Sequence, residues 1–129
     1  MLNGFGASRP AALSSTGRDG DHGHTYAALD LGTNNCRLLI ARPAADGFRV
    51  IDAFSRIVRL GEWVSATGCL SAEAMDRTVA ALRICAAKMR RRSVTHVRSV
   101  ATEACRRADN CDLFVGRVRD ETGIEIEII

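Results

Sequence analysis

The sequence predicts an α/β domain built on a mixed five-stranded sheet with helices, in the order β-β-β-α-β-α-β. Three observations predict it. Tyr26, Ala27, Ala28, Leu29 and Leu31 make an apolar run broken only by Asp30, and without alternation such a run reads as a strand buried on both faces. Asp46-Gly47 then separates two β-rich segments, the strongest short token for a hairpin turn. Further on, Met75, Val79, Leu82, Ala86 and Met89 recur at helical spacing, which makes one apolar stripe for core packing.

Composition bounds the rest. At 129 residues the chain is long enough for one domain with a core. It is 47% hydrophobic and 26% charged, with aromatics only 5%, so the core is expected to be aliphatic and alanine-rich. Net charge is +3, and Lys88 is the one lysine among 18 basic residues. Arginine pairs bidentately with phosphate and carboxylate, although GC-rich coding gives the same bias. There is no long basic stripe and almost no aromatic interleaving, so nucleic acid is not an expected partner. The five cysteines, Cys36, Cys69, Cys85, Cys105 and Cys111, are odd in number and contain no CxxC pair, which argues against a disulfide framework or a zinc site. They read as small core residues of a reducing compartment. With no transmembrane-length apolar stretch and no signal-peptide pattern in the first ten residues, no membrane partner and a cytoplasmic location are expected.

Taken in order, residues 1–24 are rich in Gly, Ser, Ala and Asp, and are expected to be a disordered tail. His22 and His24 flank Gly23 but lack a third ligand for a metal. The domain is expected to occupy residues 25–129. Its first strand runs over 25–31 and its second over 36–42. The third, over 48–60, completes an antiparallel meander. A loop is expected over 63–68. The helix over 71–92 follows, with Ser71 as N-cap, Glu73 and Asp76 at its positive end, and Lys88, Arg90, Arg91 and Arg92 at its negative end. A fourth strand over 94–101 feeds a short helical turn with Arg106 and Arg107. Asn110 or Asp109 caps a last helix through Thr122, ended by Gly123. The fifth strand reads over 124–129, and the chain stops within it, so the domain is expected to be truncated at its C-terminal end.

The chemistry concentrates at the first turn. Asp30 stands where a buried carboxylate would be costly without a task. Gly32 lets backbone N–H groups approach a ligand, and Thr33, Asn34 and Asn35 add hydroxyl and amide groups. Amides for phosphate oxygens beside one carboxylate for a divalent cation or a water would suit an oxyanion with a metal. The same residues also read as a plain hairpin turn with an Asn-Asn tip. Arg56 and Arg59, three apart near the end of the third strand, read either as anion contacts or as a solvated sheet edge. Arg106 and Arg107 follow the C-terminal end of the fourth strand, where ligands sit in open α/β sheets. The three-stranded meander followed by βαβαβ is the ribonuclease-H-like half-domain arrangement of the actin-like ATPase superfamily, with its phosphate site at the first hairpin.

Several segments together resemble the Ppx/GppA phosphatases, the exopolyphosphatases and guanosine pentaphosphate phosphatases. Residues 28–39, from Ala28 through Asp30-Leu31-Gly32-Thr33-Asn34 to Leu39, resemble that family's first phosphate-binding motif. Val58-Arg59-Leu60-Gly61 resembles its third-strand segment, and residues 100–110, with Ala101-Thr102-Glu103-Ala104-Cys105-Arg106, its second diagnostic block. Residues 123–129 look like the strand leading into a third. The resemblance covers residues 26–129, with the motifs in order.

The resemblance implies the N-terminal lobe of a hydrolase that removes terminal phosphate from polyphosphate or guanosine pentaphosphate, by Mg²⁺-assisted attack of water. Asp30 and Arg106 would be catalytic, with Asp30 near the metal. Gly32, Thr33, Asn34, Arg37 and Arg59 would bind phosphate. A homodimer of the full-length protein is compatible with the resemblance. The family's general-base glutamate lies in a Ser-Gly-x-Glu-Glu-Ala-type block that this sequence does not reach, and Glu125 and Glu127 do not match it. The 129 residues alone are therefore expected to be inactive. The other reading is a non-catalytic half-domain that binds a phosphate ligand or a partner.

Overall fold

A computed structural model describes residues 23–129. The expected tail lies outside the described residues except at its last two positions, where the His24 ring packs 4.8 Å from His96 and 6.0 Å from Tyr26. The strands are β1 (Tyr26–Leu31), β2 (Asn35–Ala44), β3 (Gly47–Ile57), β4 (His96–Ala101) and β5 (Glu127–Ile128). The helices are α1 (Val64–Thr67), α2 (Ala72–Arg91), α3 (Glu103–Arg107) and α4 (Cys111–Thr122). One mixed sheet runs in the order β3-β2-β1-β4-β5. β1, β2 and β3 pair antiparallel, while β4 joins β1 parallel and β5 joins β4 parallel. This is the predicted mixed five-stranded architecture.

The core lies on one face of the sheet. Ala27, Leu29 and Leu31 of β1 and Cys36, Leu38 and Ile40 of β2 are buried against α2 and α4. From α2 come Val79, Leu82, Ala86 and Met89 of the predicted stripe, with Met75 partly buried at its rim. Ser71 caps α2 as predicted: its hydroxyl accepts from the Ala74 amide at 3.0 Å. Four of the five cysteines are buried. Cys36 Sγ lies 3.9 Å from Cys85 Sγ, across the interface of β2 and α2. The Cys85 thiol is pushed well up, by its hydrogen bond to Cys36 and by burial.

Five expectations need correcting. First, β1 is buried on one face only. Ala28 and Asp30 are exposed, because both long helices pack on the side of Leu29 and Leu31. An alanine at a solvent-facing position hides the alternation that a polar residue would have shown. Second, β3 ends at Ile57 rather than 60. Arg59 has a left-handed backbone, φ 51°, which breaks the ladder and turns the chain inward to bury Val58 and Leu60. Third, residues 64–67 form α1, between the left-handed Trp63 and Gly68. Fourth, Asn110 begins α4 without a side-chain cap bond. Its amide instead grips the backbone of Leu70, accepting from the N–H at 2.8 Å and donating to the carbonyl at 2.9 Å. Fifth, only Glu127 and Ile128 of the last segment pair as a strand; Ile124 before them is core.

None of the helices among the described residues is long and apolar enough to cross a membrane.

Candidate active site

The residues singled out by sequence meet at one end of the sheet. β1 and β4 are parallel neighbours, with Leu31 beside Ala101, so the turn after β1 and the helix after β4 share the rim where strand C-termini open. The Thr102 amide donates to the Leu31 carbonyl at 3.1 Å and extends that contact past the strands. A concavity of ≈ 260 Å³ is lined by Asp30, Gly32, Thr33, Asn34, Asn35 and Arg37.

Its walls follow from the hairpin register. Asp30 and Arg37 are direct cross-strand partners, with side chains on the exposed sheet face, and no ion pair joins them among the described residues. A carboxylate and a guanidinium thus flank the turn with their charges available. Inside the turn, the Gly32 amide donates to the Asn35 carbonyl at 2.9 Å. Among the described residues, the Thr33 and Asn34 amides donate to no backbone carbonyl. Two spare N–H groups at a tight turn make a small anion nest.

The glycine that this turn depends on is not the predicted one. Gly32 has no left-handed backbone, and a Cβ there would meet only the Asn35 carbonyl at 3.8 Å. Gly61 is the constrained position: a Cβ there would lie 2.5 Å from the Thr33 methyl and 3.3 Å from Ala104. Its amide also donates to the Thr33 carbonyl at 2.9 Å. Val58 and Arg59 complete the bracket, both donating to the Asn34 carbonyl, at 2.7 and 3.0 Å. Arg59 therefore adjoins the turn through its backbone, with its side chain exposed. Gly61 also touches Ala104 of α3, so the two motif blocks meet behind the turn.

Sequence reasoning missed Arg77. From α2 its guanidinium donates to the carbonyls of Val58 at 3.0 Å and Arg59 at 3.4 Å, and pairs with Glu62 at 2.5 Å. It holds the same two residues whose amides hold Asn34. No pattern reveals such a residue, because its partners are main-chain carbonyls of a loop. Arg77→Met keeps the stem and removes these donors, leaving the buried Val58 carbonyl unpaired. We expect it to cost about 1–2 kcal/mol, discounted for partial exposure, seen as a lower denaturation midpoint with an unchanged m-value.

Arg106 stands on the same rim but outside the concavity. It pairs with Glu103 at 2.9 Å and donates to the Ile129 carbonyl at 2.5 Å. Arg107 reaches the other oxygen of Glu103 at 3.6 Å. Glu103, also unpredicted, thus holds both arginines at the mouth. Asn110 and the Asp109 amide, which donates to the Gly68 carbonyl at 2.8 Å, tie the far end of this block to the loop before α2. Asp30, Gly32, Thr33, Asn34 and Arg37 are brought together; Arg59 adjoins them and Arg106 flanks them.

Hard oxygen donors dominate the concavity. One exposed carboxylate beside a hydroxyl and amide oxygens fits Mg²⁺, which keeps waters and completes its sphere with substrate phosphates. No cluster of three His, Cys, Asp or Glu occurs among the described residues, so the donor set does not suit a closed, all-protein metal cage.

Comparison with known proteins follows the same lines. In solved structures, the chain is similar to a Ppx/GppA family member from Aquifex aeolicus, at 34% identity and TM-score 0.79 over 82% of this chain and 35% of that one. It is similar to an exopolyphosphatase-like protein at 36% identity and TM-score 0.77, over 82% of this chain and 32% of that one. An exopolyphosphatase from Cytophaga hutchinsonii matches at 28% identity and TM-score 0.79, over 82% and 34%. The chain thus spans about a third of the length of these relatives. Residues 39–129 match the Ppx/GppA phosphatase family, a stretch that begins just past Arg37 and takes in Gly61 and the Arg106 block. With most of its length matched, and the meander and the Arg106 block meeting behind the first turn, the chain belongs to the Ppx/GppA phosphatase family.

Proposed function

We propose that these residues form the N-terminal lobe of a hydrolase that removes the terminal phosphate of inorganic polyphosphate or of guanosine pentaphosphate by attack of water. The observation that carries this reading is the turn itself. Two unpaired amides lie between a carboxylate and a guanidinium, and neither charge is neutralised by the other. That arrangement matches a phosphate oxygen on one side and a cation or a water on the other. The exopolyphosphatase from Cytophaga hutchinsonii, with the same fold over most of this chain, supports phosphoanhydride cleavage as the reaction class.

In this reading the Thr33 and Asn34 amides bind oxygens of the terminal phosphate, and Arg37 adds a charge-assisted contact. Asp30 holds the divalent cation or orients the water. When bound, Mg²⁺ would neutralise phosphate oxygens as charge moves to the leaving group. Arg106 leaves Glu103 and Ile129 to reach the next phosphate of the chain. The water-activating base is the family glutamate expected after Ile129. A non-catalytic phosphate-binding half-domain is the second reading. It is favoured by one observation: Asp30 is the one carboxylate lining the concavity among the described residues.

Phosphate release decides between the two. We expect the full-length protein to release inorganic phosphate from polyphosphate or guanosine pentaphosphate in the presence of Mg²⁺, and to stop with a chelator. The 129-residue chain should release none. No release by the full-length protein from either substrate favours the binding module. Metal-dependent release by the 129-residue chain places a sufficient base within it.

A further inference from the structure

One feature of the lobe is left unused by the turn chemistry: a line of cations on the seam between α2 and β3. On the helix-covered face of β3, Arg56 lies opposite Cys36, and its guanidinium sits 5.3 Å from the centre of the Phe54 ring. Two steps along that face from Arg56, Asp52 is held by Lys88 Nζ and Arg92 Nε, each at 3.3 Å. The register slips between Ile40 and Ala41, and this β-bulge returns Arg49 to the same face, directly opposite Arg42. Like charges facing each other across a ladder are unfavourable by themselves. Arg42 is partly occupied by a bond to the Thr25 hydroxyl at 3.2 Å. Arg91 lies a turn from Lys88 on α2. Arg49 and Arg91 are exposed and form no ion pair among the described residues.

The balance of charge is one-sided. Arg42 and Arg49 on β2 and β3, Arg56 on β3, and Lys88, Arg91 and Arg92 at the end of α2 are six cations, and Asp52 is the acid that pairs with two of them. From the Arg56–Cys36 pair to the Arg49–Arg42 pair is six residues of β2, about 20 Å of strand. The line and the concavity lie on opposite faces of the sheet and connect around the end of the edge strand β3, where Val58 and Arg59 follow Arg56 and donate to Asn34. The dipole of α2 accounts for cations on its last turn, but it does not account for Arg49 facing Arg42 on a neighbouring strand.

We propose that the α2–β3 seam is a track for a phosphate chain, holding long polyphosphate along the edge of the lobe while its end lies in the turn. This rests on the phosphate-binding reading given above. Regularly spaced anions suit arginine forks, each making charge-assisted contacts. A nucleotide has too few consecutive phosphates to run from the turn to Arg49, so the track selects for long chains.

The test compares the full-length wild type with Arg49→Gln/Arg91→Gln and with Asp52→Asn. The probes are long-chain polyphosphate, tripolyphosphate and an oligodeoxythymidylate, titrated at two salt concentrations. For the double variant we expect roughly tenfold weaker binding of the long chain and unchanged binding of tripolyphosphate. Its logarithmic salt slope should be shallower by about two. Asp52→Asn removes the carboxylate that Lys88 and Arg92 hold and should tighten long-chain binding. Long-chain affinity unchanged in both variants, with the wild type binding tightly, overturns the track and leaves the turn chemistry standing. A wild type that binds neither phosphate probe overturns the phosphate reading itself. Oligodeoxythymidylate bound as tightly as polyphosphate, and weakened by the same variants, makes the seam a nucleic-acid surface instead.

Discussion

Arg106→Ala in the full-length protein is expected to lower phosphate release by about two to three orders of magnitude, the usual loss when a donor to developing transition-state charge is removed. Folding should be nearly untouched. Arg106 is about half exposed, and its contacts are a helical i,i+3 pair with Glu103 and a bond to the Ile129 carbonyl. Exposed pairs of this kind contribute little to stability. A large kinetic loss with a small change in melting temperature is therefore the signature of a residue kept for its ligand. Arg106→Lys keeps the charge but loses the fork, and should recover only part of the rate. Unchanged kinetics in Arg106→Ala would remove this residue from the site. Equal losses of rate and melting temperature would make it a structural residue.

Glu103 sets the resting position of that side chain. It holds Arg106 and Arg107 together at the mouth, away from the concavity lined by Asp30 and Arg37. Movement onto a phosphate would exchange one anionic partner for another. That exchange costs less than ordering a free arginine, whose side-chain entropy is about 2 kcal/mol.

Much of this could be read from the residues alone, and the failures have physical causes. The α2 stripe was legible because Val79, Leu82, Ala86 and Met89 repeat one face of a helix over several turns. The hairpin and its tight turn were legible because Asp30, Thr33 and Asn34 are polar residues set between apolar runs. β1 misled because Ala28 is small enough to sit in solvent or in a core, and neither context marks the sequence. The end of β3 misled because Val58 and Leu60 are apolar and look like strand, while the break is made by the backbone of Arg59. Arg77 was missed and Asn110 was misread as a helix cap for a shared reason: each acts on main-chain groups distant in sequence. Side-chain pairing leaves a pattern in composition and spacing, whereas a side chain holding a remote carbonyl leaves none.

Gly61 poses the sharpest test of how the turn is held. Gly61→Ala should disturb function more than its size suggests. The new methyl would overlap the Thr33 methyl at 2.5 Å and press on Ala104 at 3.3 Å. Overpacking of this kind costs about 1–3 kcal/mol. The cheapest escape is a rotation of Thr33, and that rotation moves its hydroxyl out of the concavity. We therefore expect Gly61→Ala to lose stability in that range and to weaken phosphate binding as well, measured by denaturation and by titration with inorganic phosphate or tripolyphosphate. Thr33→Ser separates the two causes, because it removes the methyl and keeps the hydroxyl. If the clash is with Thr33, the Gly61→Ala/Thr33→Ser protein should recover most of both losses, with a coupling energy of about 0.5–3 kcal/mol in the double-mutant cycle. Additive losses would mean that Ala104, and hence the packing of the Arg106 block behind the turn, is the contact that matters. Either result says which neighbour fixes the turn. Full recovery through Thr33→Ser further requires that phosphate binding does not depend on the Thr33 methyl, as expected if the backbone amides are what the phosphate meets.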